Sequence, residues 1–259
     1  MTKFNSVAAQ VSLHGKTAVI TGAGQGNGRA LATGLASCGA RIVATDMNPQ
    51  TLSETVGLVA AEGAEVWAYA LDVTDAQACK AVALAVSQEV GGVDILVNNA
   101  GILIREGIDS ERAEANWKKT FDVNVQGTFN VSYAFLPSIR ETRGSIINVA
   151  SIASFAGQAG PLAYAPTKGA IKLFTQSLAA ELALDGVRVN AIAPGVIETA
   201  MSEFTRREPE RLQRFMARIP MGRVGQPQEL VGPVVFLASA MSSYVTGVTL
   251  PVDGGFLAI

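Results

Sequence analysis

The chain is 259 residues long, 49% of them apolar and 16% charged, so it carries enough apolar mass to bury a sizeable core. Its formal charge of −2 has no basic or acidic block behind it, which leaves no electrostatic footprint for nucleic acid or an anionic membrane surface. One histidine, His14, and two distant cysteines, Cys38 and Cys79, exclude a zinc site and a disulfide framework.

Residues 1 to 12 read as a loose lead-in without a signal-peptide core, and no apolar run reaches the ~20 residues of a membrane span. The expectation is a soluble cytoplasmic protein whose single domain covers residues 13 to 259. Lys16–Thr21 reads as a strand, followed by a glycine-rich turn. A helix is predicted from near Gly28 to Cys38, closed by Gly39 at positive φ. Arg41–Thr45 is a second strand, with Asp46 at its end. Asn48 and Pro49 are N-cap and first residue of a helix that Gly63 closes. Strand Glu65–Leu71, helix Asp75–Val90 and strand Val93–Val97 follow. One long helix is predicted over roughly Ala115–Ile139. Then come strand Ser145–Val149, helix Ala163–Leu184, strand Arg188–Ile192, helix Pro227–Ala240 and strand Val248–Val252.

Several of these strands are unbroken apolar runs, the pattern of a parallel sheet covered on both faces. With helices between them, they predict an α/β fold: a single-domain Rossmann-type doubly wound parallel sheet of about seven strands. The polar stretch Val196–Gly225, with its charge cluster Arg206–Glu210, is long for a connection and reads as a substrate lid. Cys38 and Cys79 read as buried thiols, Trp67 and Trp117 as packing residues, and His14 as a surface or turn residue. Asp122, Glu181 and Asp185 read as solvated, and Asp253 as fixing the C-terminal turn.

The turn Gly22-Ala23-Gly24-Gln25-Gly26-Asn27-Gly28 joins a strand to a helix. Positions without side chains let the backbone approach a pyrophosphate, and the helix N-terminus offers unpaired N–H groups with partial positive charge. The region is therefore a candidate dinucleotide cradle. Asp46, beside Met47, ends the second strand eighteen residues past Gly28. A carboxylate there accepts hydrogen bonds from ribose hydroxyls and repels a 2′-phosphate. No Arg or Lys adjoins it, so the expected cofactor is NAD, with NADP disfavoured.

Tyr164 and Lys168 stand four residues apart and share one face if helical, with Pro166 tolerated only in the first turn. A free tyrosine ionises near pH 10, and a neighbouring cation stabilises the phenolate. Such a tyrosine can take a proton from an alcohol or return it. Ser151 ends the fifth strand thirteen residues earlier, where its hydroxyl can hold the substrate oxygen; Ser154 is the nearby competitor.

Taken in order, Thr21–Gly28, Asn98-Asn99-Ala100-Gly101, Ser151, Tyr164-x-x-x-Lys168, Pro194-Gly195 and Val252-Asp253-Gly254-Gly255 resemble the signature of the short-chain dehydrogenase/reductase family. The resemblance implies further roles. Asp72 and Val73 would contact adenine. The motif Asn98-Asn99-Ala100-Gly101 would steady the sheet and line the adenine-ribose side, with Asn98, Ala100 and Gly101 as its cofactor-binding residues. Asn124 would kink a helix, hold a relay water and complete a catalytic tetrad with Ser151, Tyr164 and Lys168. Lys168 would also bind the nicotinamide ribose. Pro194, Gly195, Ile197 and Thr199 would hold the nicotinamide carboxamide. The family also implies a homotetramer assembled through long helices and the C-terminal segment, for which faces such as Pro233–Ala240 are candidates. Asn27 departs from the family's pattern, which has an apolar residue there.

The implied activity is hydride transfer between nicotinamide and a secondary alcohol or ketone, with Tyr164 as acid/base. The lid and the segment Ile152–Leu162 would shape the pocket. That segment is mostly small and apolar, with Phe155 packing inside and Gln158 as one polar candidate. It holds no basic cluster, and the lid contributes Arg206 and Arg207. The expected partner is a neutral small-molecule alcohol or ketone, of the sugar or polyol kind, or a 3-oxoacyl chain on a carrier protein. A non-catalytic dinucleotide sensor or scaffold is the reading of another class, and the four intact tetrad positions weigh against it.

Overall fold

The computed structural model describes residues 6–157 and 159–259. In chain order the elements are α1 (Val7–Val11), β1 (Thr17–Thr21), α2 (Gly26–Ser37), β2 (Arg41–Asp46), α3 (Pro49–Ala61), β3 (Val66–Ala70), α4 (Ala76–Glu89) and β4 (Ile95–Asn98). They continue with α5 (Ala113–Phe121), a π-helical segment (Asp122–Gly127), α6 (Thr128–Thr142), β5 (Ser145–Val149), α7 (Tyr164–Leu182), β6 (Arg188–Pro194), α8 (Glu203–Arg207), α9 (Pro209–Met216), α10 (Val231–Ala238) and β7 (Thr249–Val252). The seven strands form one parallel sheet in the order β3-β2-β1-β4-β5-β6-β7.

The apolar strand runs bury both faces. Ile20, Ile42, Val97 and Ile147 point into one core with Leu31 and Leu35 of α2 and Val234 of α10. Their neighbours Val19, Val43, Leu96 and Ile146 point into the other, with Val82 and Val86 of α4 and Val131, Phe135 and Ile139 of α6. Alternate side chains on a strand face opposite ways, so a strand apolar at every position must sit between two helical layers. Val234, Val235 and Leu237 are buried in this core, so the α10 face is spent on packing within the chain.

Several expectations change. Part of the lead-in is helical: Ser6 caps α1 by accepting from Ala9 N–H. The single long helix is interrupted by the π-helical turn over Asp122–Gly127. The lid is not irregular, since it carries α8 and α9, and its base is pinned where Ile197 pairs with Gly225. Charged residues hid these helices; in α9, Arg211–Glu208 and the apolar face toward Phe215 and Met216 stabilise a short turn that composition alone reads as loop. Cys79 is buried, whereas Cys38 is only partly so, because it caps the end of α2 at the surface. Among the described residues, no helix is long and apolar enough to cross a membrane and no group of three or more His, Cys, Asp or Glu side chains is gathered to hold a metal ion.

Candidate active site

A cleft of 1080 Å³ opens where the carboxyl ends of the strands meet the reversal of strand order between β1 and β4. Gly22, Gln25, Gly26, Asn27 and Gly28 line one wall. Their turn is tight: a Cβ on Gly28 would stand 2.0 Å from the Gly22 carbonyl oxygen, and Gly26 has φ of +54°. Asn48 and Asp75 cap α3 and α4 with their side chains, but no side chain caps α2. Its N–H groups are left for a ligand at the cleft, as a pyrophosphate site requires.

Asp46 and Met47 form the far end of that wall. The Asp46 carboxylate accepts from Gly24 N–H and Asn48 N–H, both at 2.9 Å, which fixes it toward the turn. Gly24 is a correction to the predicted lining. It is buried under Asp46 and Thr51, where a Cβ would meet Thr51 Oγ1 at 2.5 Å, and it shapes the turn without facing the cleft. Asp72, Val73, Ala100, Gly101, Pro194, Gly195, Ile197 and Thr199 do line it.

Asn98 steadies the sheet, as the resemblance implies, but does not line the cleft. Its side chain is buried within the sheet, donating to Asn148 Oδ1 at 2.8 Å and Ser132 Oγ at 2.9 Å, while Asn148 donates to Thr175 Oγ1 at 2.9 Å. This polar ladder ties β4 and β5 to α6 and α7. The adjacent Asn99 faces the cleft instead, donating to the Thr21 and Gly22 carbonyls at 2.9 and 3.0 Å and locking the glycine turn.

Ser151, Tyr164 and Lys168 meet at the centre of the cleft. Ser151 follows β5, and its Oγ accepts from Ala153 N–H at 3.1 Å, which sets its rotamer. Tyr164 is the first residue of α7, so Pro166 falls within the first turn, where its missing N–H costs nothing. The Ser151 hydroxyl neighbours the Tyr164 phenol and favours its ionised form. Ser154 is engaged elsewhere, donating to the Lys168 carbonyl at 2.7 Å.

The electrostatics differ from the sequence expectation. Lys168 Nζ donates to the Val149 carbonyl at 2.7 Å and lies 5.8 Å from the Tyr164 ring centroid. Burial holds its ammonium down to about 8. Burial also pushes the Tyr164 phenol up, and the neighbouring Ser151 hydroxyl and the charge of Arg105, from the loop after β4, oppose it.

Asn124 is buried in the π-helical turn that breaks the long helix, as the resemblance implies, with its Oδ1 toward Gly101 of the cleft. Its Oδ1 accepts from Ile102 N–H at 2.8 Å, and its Nδ2 donates to the Ile102 carbonyl at 3.0 Å and Thr167 Oγ1 at 3.1 Å. These bonds join the loop after β4 to the start of α7. Phe155 is exposed, with the Lys172 ammonium 4.1 Å from its ring centroid, so it does not pack inside. Gln158 lies outside the described residues. Sequence reasoning missed Arg105 and Phe215, which folding brings to the cleft, and Thr167, the buried partner of Asn124, since no local pattern marks such long-range meetings.

The family model described as enoyl-(acyl carrier protein) reductase matches residues 22–257. The chain is 42% identical over 247 residues to 2-dehydro-3-deoxy-D-gluconate 5-dehydrogenase of Bacillus subtilis, covering 95% of this chain and 96% of that one. The chain belongs to the short-chain dehydrogenase/reductase family. It is also 40% identical over 247 residues to the 3-oxoacyl-(acyl-carrier-protein) reductase of Thermotoga maritima, covering 95% and 99% of the two chains. A gluconate 5-dehydrogenase from Burkholderia cenocepacia, solved in complex with NADP and tartrate, superposes with a TM-score of 0.94 at 36% identity, covering 98% of this chain and 100% of that one. As a member of this dehydrogenase/reductase family, the chain is an oxidoreductase of hydroxyl and keto groups.

Proposed function

We propose that the protein interconverts a secondary alcohol and its ketone, on a sugar, polyol or related hydroxy compound, with NAD(H) as the preferred dinucleotide. The observation that carries this reading is the meeting of Ser151, Tyr164 and Lys168 in one cleft with the glycine turn. A bound nicotinamide would supply the hydride acceptor or donor. The glycine turn and the uncapped N-terminus of α2 fit its pyrophosphate, and Asp46 fits its adenosine ribose. Ser151 holds the substrate oxygen, and Tyr164 takes or returns its proton. Lys168, held on Val149, keeps positive charge beside the cleft below about pH 8. Asn124 fixes the loop and helix that carry this arrangement.

NAD preference rests on Asp46. Its carboxylate faces the cleft beside Gln25, Met47, Asn48 and Thr51, none of which is a cation. The NADP in the Burkholderia structure marks the alternative. Initial rates with both dinucleotides decide it: NAD should give the higher kcat/KM, and Asp46→Ala should narrow the ratio by ten-fold or more. Higher kcat/KM with NADP in the wild type would overturn the assignment. The 3-oxoacyl reductase reading has the Thermotoga relative in its favour, and a 3-oxoacyl thioester belongs in the same panel.

Tyr164→Phe tests the chemistry. It should retain dinucleotide affinity and lose turnover by about 10²–10⁴-fold, the usual worth of a general acid/base. Near-normal turnover would remove Tyr164 from the reaction.

A further inference from the structure

Arg29 sits in the first turn of α2 and does not line the cleft, so the reaction leaves it without a task. Its guanidinium is spent on the glycine turn and on α3. Nε donates to Thr55 Oγ1 at 3.0 Å and to the Gly24 carbonyl at 3.1 Å, and Nη2 donates to the same carbonyl at 2.5 Å. Nη2 also meets the Thr51 carbonyl at 3.2 Å and the Glu54 carboxylate at 2.7 Å. A surface ion pair would use only the last of these contacts.

Thr55 carries the argument further. It is fully buried in α3, and a hydroxyl has one proton to give. Arg29 Nε supplies a proton to its oxygen, so the oxygen's own proton is directed to a carbonyl. The Ala23 carbonyl is nearest at 2.9 Å, against 3.3 Å for Thr51 and 3.4 Å for Gly24. The Ala23 carbonyl and the Gly24 N–H belong to one planar peptide, so fixing the first fixes the second. That N–H donates to Asp46 Oδ2 at 2.9 Å. The approach needs a residue without a side chain, since a Cβ on Gly24 would itself stand 2.9 Å from Asp46 Oδ2. A continuous path of hydrogen bonds thus runs from Arg29 through Thr55 and the Ala23-Gly24 peptide to the carboxylate.

We infer that Arg29 and Thr55 are positioning residues for Asp46, which set the Ala23-Gly24 peptide so that the carboxylate is held ready for the adenosine ribose and discriminates between NAD and NADP. This deepens the assignment of Asp46 made above and rests on it. Asn48 N–H holds the other carboxylate oxygen, so loss of the path frees one end of the carboxylate without expelling it. The N-terminus of α2 keeps its own N–H groups, and the pyrophosphate contact common to both dinucleotides survives. The defect is therefore confined to the ribose end.

Calorimetric Kd values for NAD and NADP read this without turnover. Thr55→Val keeps the shape of the side chain and removes the hydroxyl. It should weaken NAD about ten-fold, the worth of one hydrogen bond to a charged group, and move NADP by less than about two-fold. Thr55→Ser returns the hydroxyl and should recover the NAD affinity. In an Asp46→Ala background, Thr55→Val should leave the NAD Kd unaltered, because no carboxylate remains to be placed. Should Thr55→Val fail to fold, Arg29→Lys takes its place: it keeps the charge, loses the fork and should weaken NAD selectively. An unchanged NAD Kd, equal weakening of NAD and NADP, or a full effect in the Asp46→Ala background would reduce both residues to braces of the turn and overturn the proposal. The wild-type values test the Asp46 assignment separately. Tighter binding of NADP would sink the NAD preference alone, and coupling of Thr55 to Asp46 in the same cycle would still uphold the path.

Discussion

Two side chains in the cleft carry costs that only function explains. Lys168 is buried, and its folded pKa of about 8 lies below its ordinary 10.5. Between those values the unfolded chain binds more protons than the folded one, so stability rises as pH climbs from about 8 toward 10.5. Lys168→Met should remove that alkaline rise and, at pH 7, stabilise the chain by on the order of 1–2 kcal/mol after the lost hydrogen bond to Val149 is counted. Urea titrations at pH 7 and 9.5 read both effects; an unchanged pH slope in the variant would contradict the assignment. Asn27 is the second case. Its Oδ1 is buried without a partner in a residue that lines the dinucleotide wall. An orphaned buried acceptor costs about 1–3 kcal/mol, so Asn27→Val should raise the melting temperature of the free protein by about 2–4 °C. A fall in that temperature would show that the amide is satisfied in solution.

At the scale of elements, the π-helical turn does the most to set the site. An α-helix through Asp122–Gly127 would place Asn124 one-third of a turn away; the wider turn aims it at Ile102 and Thr167. Close passage is needed as well, since a Cβ on Gly127 would meet Val73 Cγ2 at 2.5 Å. Asn124→Ala leaves the Ile102 N–H and carbonyl without partners and should cost about 2–4 kcal/mol. The kcat should fall more than dinucleotide affinity, because the helix start that carries Tyr164 loosens while the glycine turn stays intact. A variant with wild-type denaturation and kcat would refute this. The turn was partly legible: Asn124 stands out through the family resemblance, but hydropathy runs smoothly through Ala115–Ile139 and carries no mark of a π-turn. The strands were more legible, because Ser145–Val149 and its neighbours are too apolar for any place but the centre of a covered parallel sheet.

For the whole molecule, α6 and α7 present an unburied aromatic face. Phe129 and Tyr133 stack at 5.8 Å, Phe174 meets Phe129 edge-on at 6.4 Å, and Tyr133 is 58% exposed. The homotetramer implied by the family resemblance would bury such a face. Sedimentation should find an oligomer that Phe129→Asp with Tyr133→Asp converts to smaller species of unchanged circular dichroism; a monomeric wild type would remove the expectation. By itself, the sequence determined the sheet, its parallel sense and the placing of the glycine turn, Ser151, Tyr164 and Lys168 in one cleft. The sheet follows from hydropathy, a local quantity, and the shared cleft from the ordered motifs that resemble the family's signature. Tertiary structure alone decided that the Asn98 side chain is buried in the sheet while Asn99 lines the cleft, that Asn124 meets Ile102 and Thr167, and that Arg105 comes to the cleft. Each of those depends on which distant segment a side chain meets, and such meetings are fixed by the packing of loops and layers, not by the residue's own neighbours in the chain.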